Sequence, residues 1–257
     1  MRSKVIAIAN QKGGVAKTTT TAAMAAGLQQ RGYKVLLVDL DPQGNLSDCC
    51  GADSYQAATA YELLTREERI DAVIQRAGAI EIIPANIMLA GIDQELSQLG
   101  REQRLRESLE QVRERYDYIL IDTPPSLGIL TINAFTAADE IIIPTTAGVF
   151  AAKGIRQMYD TIANVQKYCN PSVRCVGILL TRYDPRSINN QDVRDLIVHI
   201  GEYMSAPVYK TYIRSTIAVE EAQARSTSLQ DYRRSSTAAE DYENFIDEYL
   251  EMSKGGK

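Results

Sequence analysis

An α/β fold, built as a doubly wound and mostly parallel sheet with helices on both faces, is the class this 257-residue sequence predicts. Three observations lead there. Short apolar runs alternate with helical stretches along the chain, several runs are apolar on both alternating faces, and the loop after the first run is glycine-rich and opens directly into a helix. In order, Lys4–Ala9 (KVIAIA) reads as a β-rich strand and the alanine-rich Thr18–Arg31 as a helix. Strands follow at Lys34–Val38 (KVLLV) and Ile80–Pro84 (IEIIP), then a charged stretch with helical spacing at Arg101–Tyr116. Tyr118–Ile121 (YILI) is a buried strand that ends at Asp122, and Glu140–Pro144 (EIIIP) and Arg174–Leu180 (RCVGILL) repeat the theme. Helices are expected over 151–169, 188–203 and 237–252. With no internal repeat, low-complexity segment or linker in the sequence, one domain over residues 1–257 is the simplest organisation.

Composition narrows the function classes. Hydrophobic residues make up 45% and charged residues 24%, which excludes a disordered chain and allows a full core. The apolar runs are too short for a membrane span, and the N-terminus lacks the apolar stretch and cleavage site of a secretory signal. Cysteines at 49, 50, 169 and 175 lack CxxC spacing, and His199 is the single histidine, so neither a zinc site nor an iron–sulfur site is expected. The cysteines read as reduced and cytosolic, and His199 as a surface or packing residue. The net charge is −5, of which residues 235–257 carry −4, leaving a nearly neutral body on which a local basic face could meet an anionic partner.

The segment with the strongest chemical signal is Asn10-Gln11-Lys12-Gly13-Gly14-Val15-Ala16-Lys17-Thr18-Thr19-Thr20, between the first strand and the first helix. Glycines let a backbone approach phosphates, and the N–H groups that open a helix cradle them. Lys17 is placed to reach the β- and γ-phosphates, and the Thr18 hydroxyl to ligate Mg²⁺. The pattern GxxxxGK[ST] fails, because Gln11 and Ala16 stand where glycines belong; KGGxxK[ST] fits. Two strand ends add carboxylates: VLLVDLD with Asp39 and Asp41, and YILID with Asp122. In an open α/β sheet these positions border the ligand, where carboxylates hold Mg²⁺ and position water. The whole is a P-loop NTPase type of site.

With KGGVAKTTT, VLLVDLDPQGN, IIPANIMLAG, YDYILIDTPPSLGILTINA and VGILLTRYD in view, the chain resembles the ParA family of partition ATPases, within the deviant Walker A group that also holds the MinD proteins. The likeness is to the short, Soj-like type. It spans about residues 4–184 and continues more weakly through YKTYIRSTIAVEEA. The resemblance implies slow ATP hydrolysis with Mg²⁺, stimulated by a ParB-type protein, and an ATP-dependent homodimer that binds double-stranded DNA non-specifically to move DNA cargo. It implies a cytoplasmic, nucleoid-associated protein with no membrane partner. By the same resemblance, Lys12 reaches the partner subunit's phosphates, Asp41 orients the hydrolytic water, and Asp39 and Asp122 support the metal. Residues Lys12 to Thr19 hold the nucleotide, Arg214 and Thr216 contact adenine, and Arg186 contacts DNA.

The chain departs from the family pattern at four places. Ala16 replaces a glycine, which costs on the order of 1–2 kcal/mol if the position needs positive φ. IRST stands at 213–216 where IPRN is common, Ala218 replaces a basic residue, and no helix-turn-helix precedes the loop. A MinD-like positioning ATPase is the first alternative, disfavoured by the acidic C-terminal segment, which anionic lipid would repel. A nucleotide-binding switch with very slow hydrolysis is the second, motivated by Ala16. A nicotinamide oxidoreductase lacks its GxGxxG, and a nitrogenase-reductase-like cluster lacks a cysteine within residues 122–138.

Overall fold

A computed structural model describes residues 2–255 except 97, 98, 149, 150, 226 and 228. The first half alternates β1 (Lys4–Ile8), α1 (Lys17–Gln30), β2 (Val35–Asp39), α2 (Asn45–Cys50), α3 (Ala60–Thr65) and α4 (Ile70–Val73). It continues with β3 (Gln75–Ala77), β4 (Ile80–Ile83), α5 (Ile92–Glu95), α6 (Arg104–Glu110), β5 (Tyr118–Asp122) and α7 (Ile129–Ala137). The second half adds β6 (Glu140–Thr146), α8 (Ala151–Tyr168), β7 (Arg174–Thr181), α9 (Ile188–Tyr203), α10 (Ile217–Ala224), α11 (Leu229–Arg233) and α12 (Thr237–Gly255). The seven strands lie in the order β3-β4-β2-β5-β1-β6-β7. Every pair is parallel except the β3–β4 edge hairpin.

The predicted doubly wound class is therefore the observed one, and the strand periodicity shows why. Along β1, Val5 and Ala7 enter one core cluster and Ile6 and Ile8 the other, since successive side chains point to opposite faces. Helices α3, α6, α7, α8 and α9 cover the first face. Helices α1, α2 and α10–α12 cover the second. Where α1 meets α12 the contact is so close that a Cβ on Gly27 would sit 2.3 Å from Ile246 Cδ1. Phe245 and Tyr209 pack edge to face beside it, with ring centroids 4.9 Å apart.

Some local expectations shift. The helix expected over 101–116 is a 3-10 turn at Arg101–Gln103 followed by α6, and the chain leaves helical geometry after Glu110. Helix α7 and the short strand β3 did not stand out in the sequence. Helix α7 is buried at all but one of its nine positions, so it carries no amphipathic stripe. Helix α1 begins at Lys17 beneath Ala16, which is in the left-handed region at φ 64 and ψ 33. The strain anticipated at this alanine is thus present in the folded chain.

Two stability outcomes follow from the packing. Phe245→Ala removes a fully buried ring and should cost about 3–5 kcal/mol, read as a lower midpoint in urea unfolding. Ala16→Gly relieves left-handed strain but loosens the unfolded chain; the balance should stabilise by about 0.5–1 kcal/mol and raise the melting temperature. An unchanged or lower melting temperature would contradict that balance.

Candidate functional site

The site forms at the carboxyl ends of the central strands. β5 lies between β1 and β2, and its last residue, Asp122, pairs in register with Ile8 on one side and Asp39 on the other. The loop that leaves β1 therefore passes directly beside both carboxyl groups. Side chains anchor that loop from below. Asn10 Nδ2 donates to the Pro144 carbonyl at 2.8 Å, and Asn10 Oδ1 accepts from the Lys12 N–H at 2.9 Å. The Thr181 hydroxyl lies 3.1 Å from the Val15 carbonyl and 3.2 Å from that of Thr145. Gly14 at φ 71 and Ala16 supply the left-handed turns that bring the chain into α1.

Within this frame Thr18 donates its hydroxyl to Asp122 Oδ2 at 2.6 Å. Asp122 is fully buried, and its Oδ1 has no hydrogen-bond partner. Burial first, and the neighbouring Asp39 charge second, push the Asp122 carboxyl well above the usual carboxylate range. Asp39 is raised to about 6, chiefly by burial, despite accepting from the Ser47 N–H at 2.9 Å, the Ser47 hydroxyl at 2.7 Å and the Asp41 N–H at 3.0 Å. Lys17 is buried as well. Desolvation lowers its pKa, opposed by Asp122 and Asp41, and its Nζ lies 3.4 Å from the Lys12 carbonyl.

An unpartnered buried carboxylate oxygen next to a hydroxyl is a hard-oxygen donor set, the kind Mg²⁺ takes. No group of three or more His, Cys, Asp or Glu side chains among the described residues could hold a metal. Asp39 has both oxygens committed to Ser47 and Asp41, so it steadies the turn after β2 while Asp122 keeps an open lone pair.

A cleft of about 560 Å³ opens above these groups. Gly13, Gly14, Ala16, Lys17, Thr18 and Thr19 line it from the loop and the start of α1, Asp41 forms one wall, and Arg214 and Thr216 the far end. Lys12 is exposed and does not line the cleft, and Val15 is fully buried behind the loop. The Arg214 guanidinium turns away onto Asp241. Arg186 lies outside the cleft, exposed and paired with Asp184 at 3.0 Å. Sequence reasoning missed Ser47, which ties Asp39 to α2, and Thr181, Arg182 and Tyr242, which line the cleft. Ser47 lies eight residues beyond Asp39 in an unremarkable NLSD run, and Tyr242 is brought in by the last helix, so neither carries a local signal.

Comparison with known proteins agrees with this geometry. Residues 3–175 match a family model described as an AAA domain, AAA_31. The chain is 40% identical over 243 residues to the sporulation initiation inhibitor protein Soj of Bacillus subtilis, covering 93% of this chain and 95% of the relative. It is 41% identical over 226 residues to the chromosome partitioning protein ParA of Caulobacter vibrioides, covering 85% and 83%. Among solved structures, a Mycobacterium smegmatis protein described as cobyrinic acid a,c-diamide synthase, with bound ADP and magnesium, superposes with a TM-score of 0.85 at 36% identity over 99% of this chain and 97% of that one. The cell division ATPase MinD of Pyrococcus furiosus shares the fold, with a TM-score of 0.77 at 22% identity over 97% of this chain and 99% of that one. On the sequence identity and the matched family model together, the chain belongs to the ParA/Soj family of P-loop ATPases.

Proposed function

We propose that this chain is a partition ATPase: it binds ATP with Mg²⁺, pairs with a second copy, binds duplex DNA without reading its sequence, and hydrolyses ATP slowly until a ParB-type partner stimulates it. The observation that carries the reading is the Thr18 hydroxyl bonded to a buried carboxylate with one open oxygen, beside a buried lysine at the start of α1. The whole chain, 1–257, acts as one ATPase domain, supported by a single sheet through its centre.

In this mechanism the N–H groups of residues 13–19 and the Lys17 ammonium receive the phosphates. Thr18 and Asp122 hold the metal, with Asp39 as the supporting carboxylate; the ion, when bound, neutralises charge on the phosphate oxygens. Asp41 lines the cleft with one oxygen accepting from the Gln43 N–H at 3.1 Å and the other left to orient water. Lys12, exposed at the loop's outer edge, supplies its charge to the partner subunit's phosphates, in the manner of an arginine finger. Arg214 and Thr216 border the base, and Arg186 contacts DNA. Among the described residues no helix is long and apolar enough to cross a membrane. The acidic α12 would be repelled by an anionic lipid surface, which counts against a MinD-like membrane anchor on that helix.

Phosphate release measured alone, with duplex DNA, and with DNA plus a ParB-type protein tests the proposal. Turnover should be slow alone and rise with both partners. Asp41→Ala should bind ATP, accumulate as a dimer in light scattering and hydrolyse poorly. Wild-type turnover by that variant would remove Asp41 from the mechanism.

Arg186 tests the DNA arm separately. Its pair with Asp184 is largely exposed, and such pairs exchange readily for another anion. Arg186→Ala removes one phosphate contact per subunit, so the slope of log K against log salt should fall by about 1.8 per dimer. Affinity should drop equally for unrelated DNA sequences. An unchanged slope would place the DNA surface elsewhere.

A further inference from the structure

The far end of the cleft is shaped by α12, a helix that the phosphate chemistry does not use. We infer that Asp241 is a specificity-determining residue for the nucleotide base: by holding the Arg214 guanidinium against α12, it keeps a guanine-selective donor out of the cleft and so favours ATP over GTP. This deepens the ATP-binding reading above and rests on it.

The clamp involves both the backbone and the side chain of Arg214. Its N–H donates to Asp241 Oδ2 at 2.8 Å, Nε to Oδ2 at 2.9 Å, and Nη2 to Oδ1 at 2.6 Å. Nη2 also lies 3.2 Å from Glu240 Oε2 and 3.4 Å from the Thr237 carbonyl. The Asp241 side chain is only 9% exposed, so these charge-assisted bonds are shielded from water. On the other side of the turn, Ile213 is pinned to β7: its N–H donates to the Leu180 carbonyl at 2.8 Å and its carbonyl accepts from the Tyr183 N–H at 3.0 Å. The rotation of α12 is set independently of Arg214. The Tyr242 hydroxyl lies 3.1 Å from Thr20 Oγ1, and Arg31 pairs with Glu243 at 2.7 Å and Asp247 at 2.6 Å. The carboxylate of Asp241 is thus presented to residue 214 by a helix fixed elsewhere.

Base chemistry decides the consequence. Guanine shows two adjacent acceptors, N7 and O6, which the arginine fork satisfies together. Adenine shows N7 beside an N6 amino donor, so the same fork meets donor with donor. Arg214 lines the cleft with Ile213, Ser215, Thr216 and Tyr242, so a guanidinium released from Asp241 has the cleft open to it. Arg182, the other guanidinium on this wall, is the same in every variant compared, so the comparison isolates Arg214.

Displacement of a fluorescent nucleotide by ATP and by GTP, measured on the full chain with Mg²⁺, gives the ATP-to-GTP preference of each variant. Wild type should favour ATP. Asp241→Ala should narrow the preference about tenfold, and Asp241→Asn, which retains one oxygen acceptor, by less. The double variant Asp241→Ala/Arg214→Ala should show a wider ATP-to-GTP preference than Asp241→Ala alone, because the loss arises from the freed guanidinium. Melting curves identify unfolded variants, in which case Asp241→Asn and the Arg214→Ala background carry the test. If Asp241 serves only to hold the fold, both nucleotides weaken alike; an unchanged ratio in the folded Asp241 variants overturns the inference. So does a wild type with no preference for ATP. A wild type that binds neither nucleotide overturns the ATPase proposal itself, a result distinct from ATP binding without discrimination.

Discussion

Asp39 and Asp122 face each other in register on neighbouring strands, both fully buried, with only the end of the sheet above them. Burial raises the pKa of each, and the charge of Asp39 adds to the effect on Asp122. Left alone, such a pair destabilises the fold as soon as both ionise. The surrounding structure answers with donors: Ser47 and the Asp41 N–H for Asp39, and Thr18 for Asp122. Lys17 stands close enough for Asp122 and Asp41 to oppose its own loss of charge on burial. The start of α1, the turn after β2 and the start of α2 are therefore arranged around two carboxyl groups, and one oxygen of Asp122 remains unmatched. A cation at that oxygen would relieve the remaining cost, which links ligand binding to the stability of the whole strand-end region.

The strands were legible because each carries its own evidence. KVIAI, VLLVD and YILID are short, β-branched and buried on both faces, and each ends where polar residues begin. The loop was legible for the same reason, since residues 10–20 hold its glycines, its lysines and its hydroxyl together. Helix α7 was not, because ILTINAFTA is buried all round and shows no stripe to separate it from a strand. The three-residue β3 depends on its hairpin partner across Gly78 and has no periodicity of its own. Contacts across long separations were out of reach altogether: Thr20 with Tyr242, and Arg214 with Asp241, meet only once the sheet has brought α12 against α1.

Arginine placement shows how far composition can carry a functional argument. The nearly neutral body left room for a local basic face, yet Arg214 is clamped by Asp241 and Arg225 lies 5.0 Å from the Tyr232 ring centroid. Arg186 is paired too, but near the solvent, where the partner contributes little. Burial thus separates these side chains by task. A guanidinium held by a buried carboxylate is part of the fold, and one held by an exposed carboxylate is still available to a phosphate.

The two helices that meet at Gly27 connect the ends of the cleft. Helix α1 begins with Lys17 and Thr18 at the phosphate side, and α12 presents Asp241 and Tyr242 at the far end. Their contacts advance together, from Thr20 with Tyr242, to Gly27 with Ile246, to Arg31 with Asp247. At the amino ends of the strands the Tyr249 hydroxyl donates to Glu140 at 2.7 Å, where Lys4 also pairs at 2.9 Å, and this ties α12 to the first residues of β1 and β6. A displacement of α12 that reached residue 214 would have to break this row of contacts or carry α1 along with it. The phosphate side and the far end of the cleft are therefore set by one rigid helix pair, and whatever shifts residues 213–216 is resisted by the same packing that positions Thr18 over Asp122.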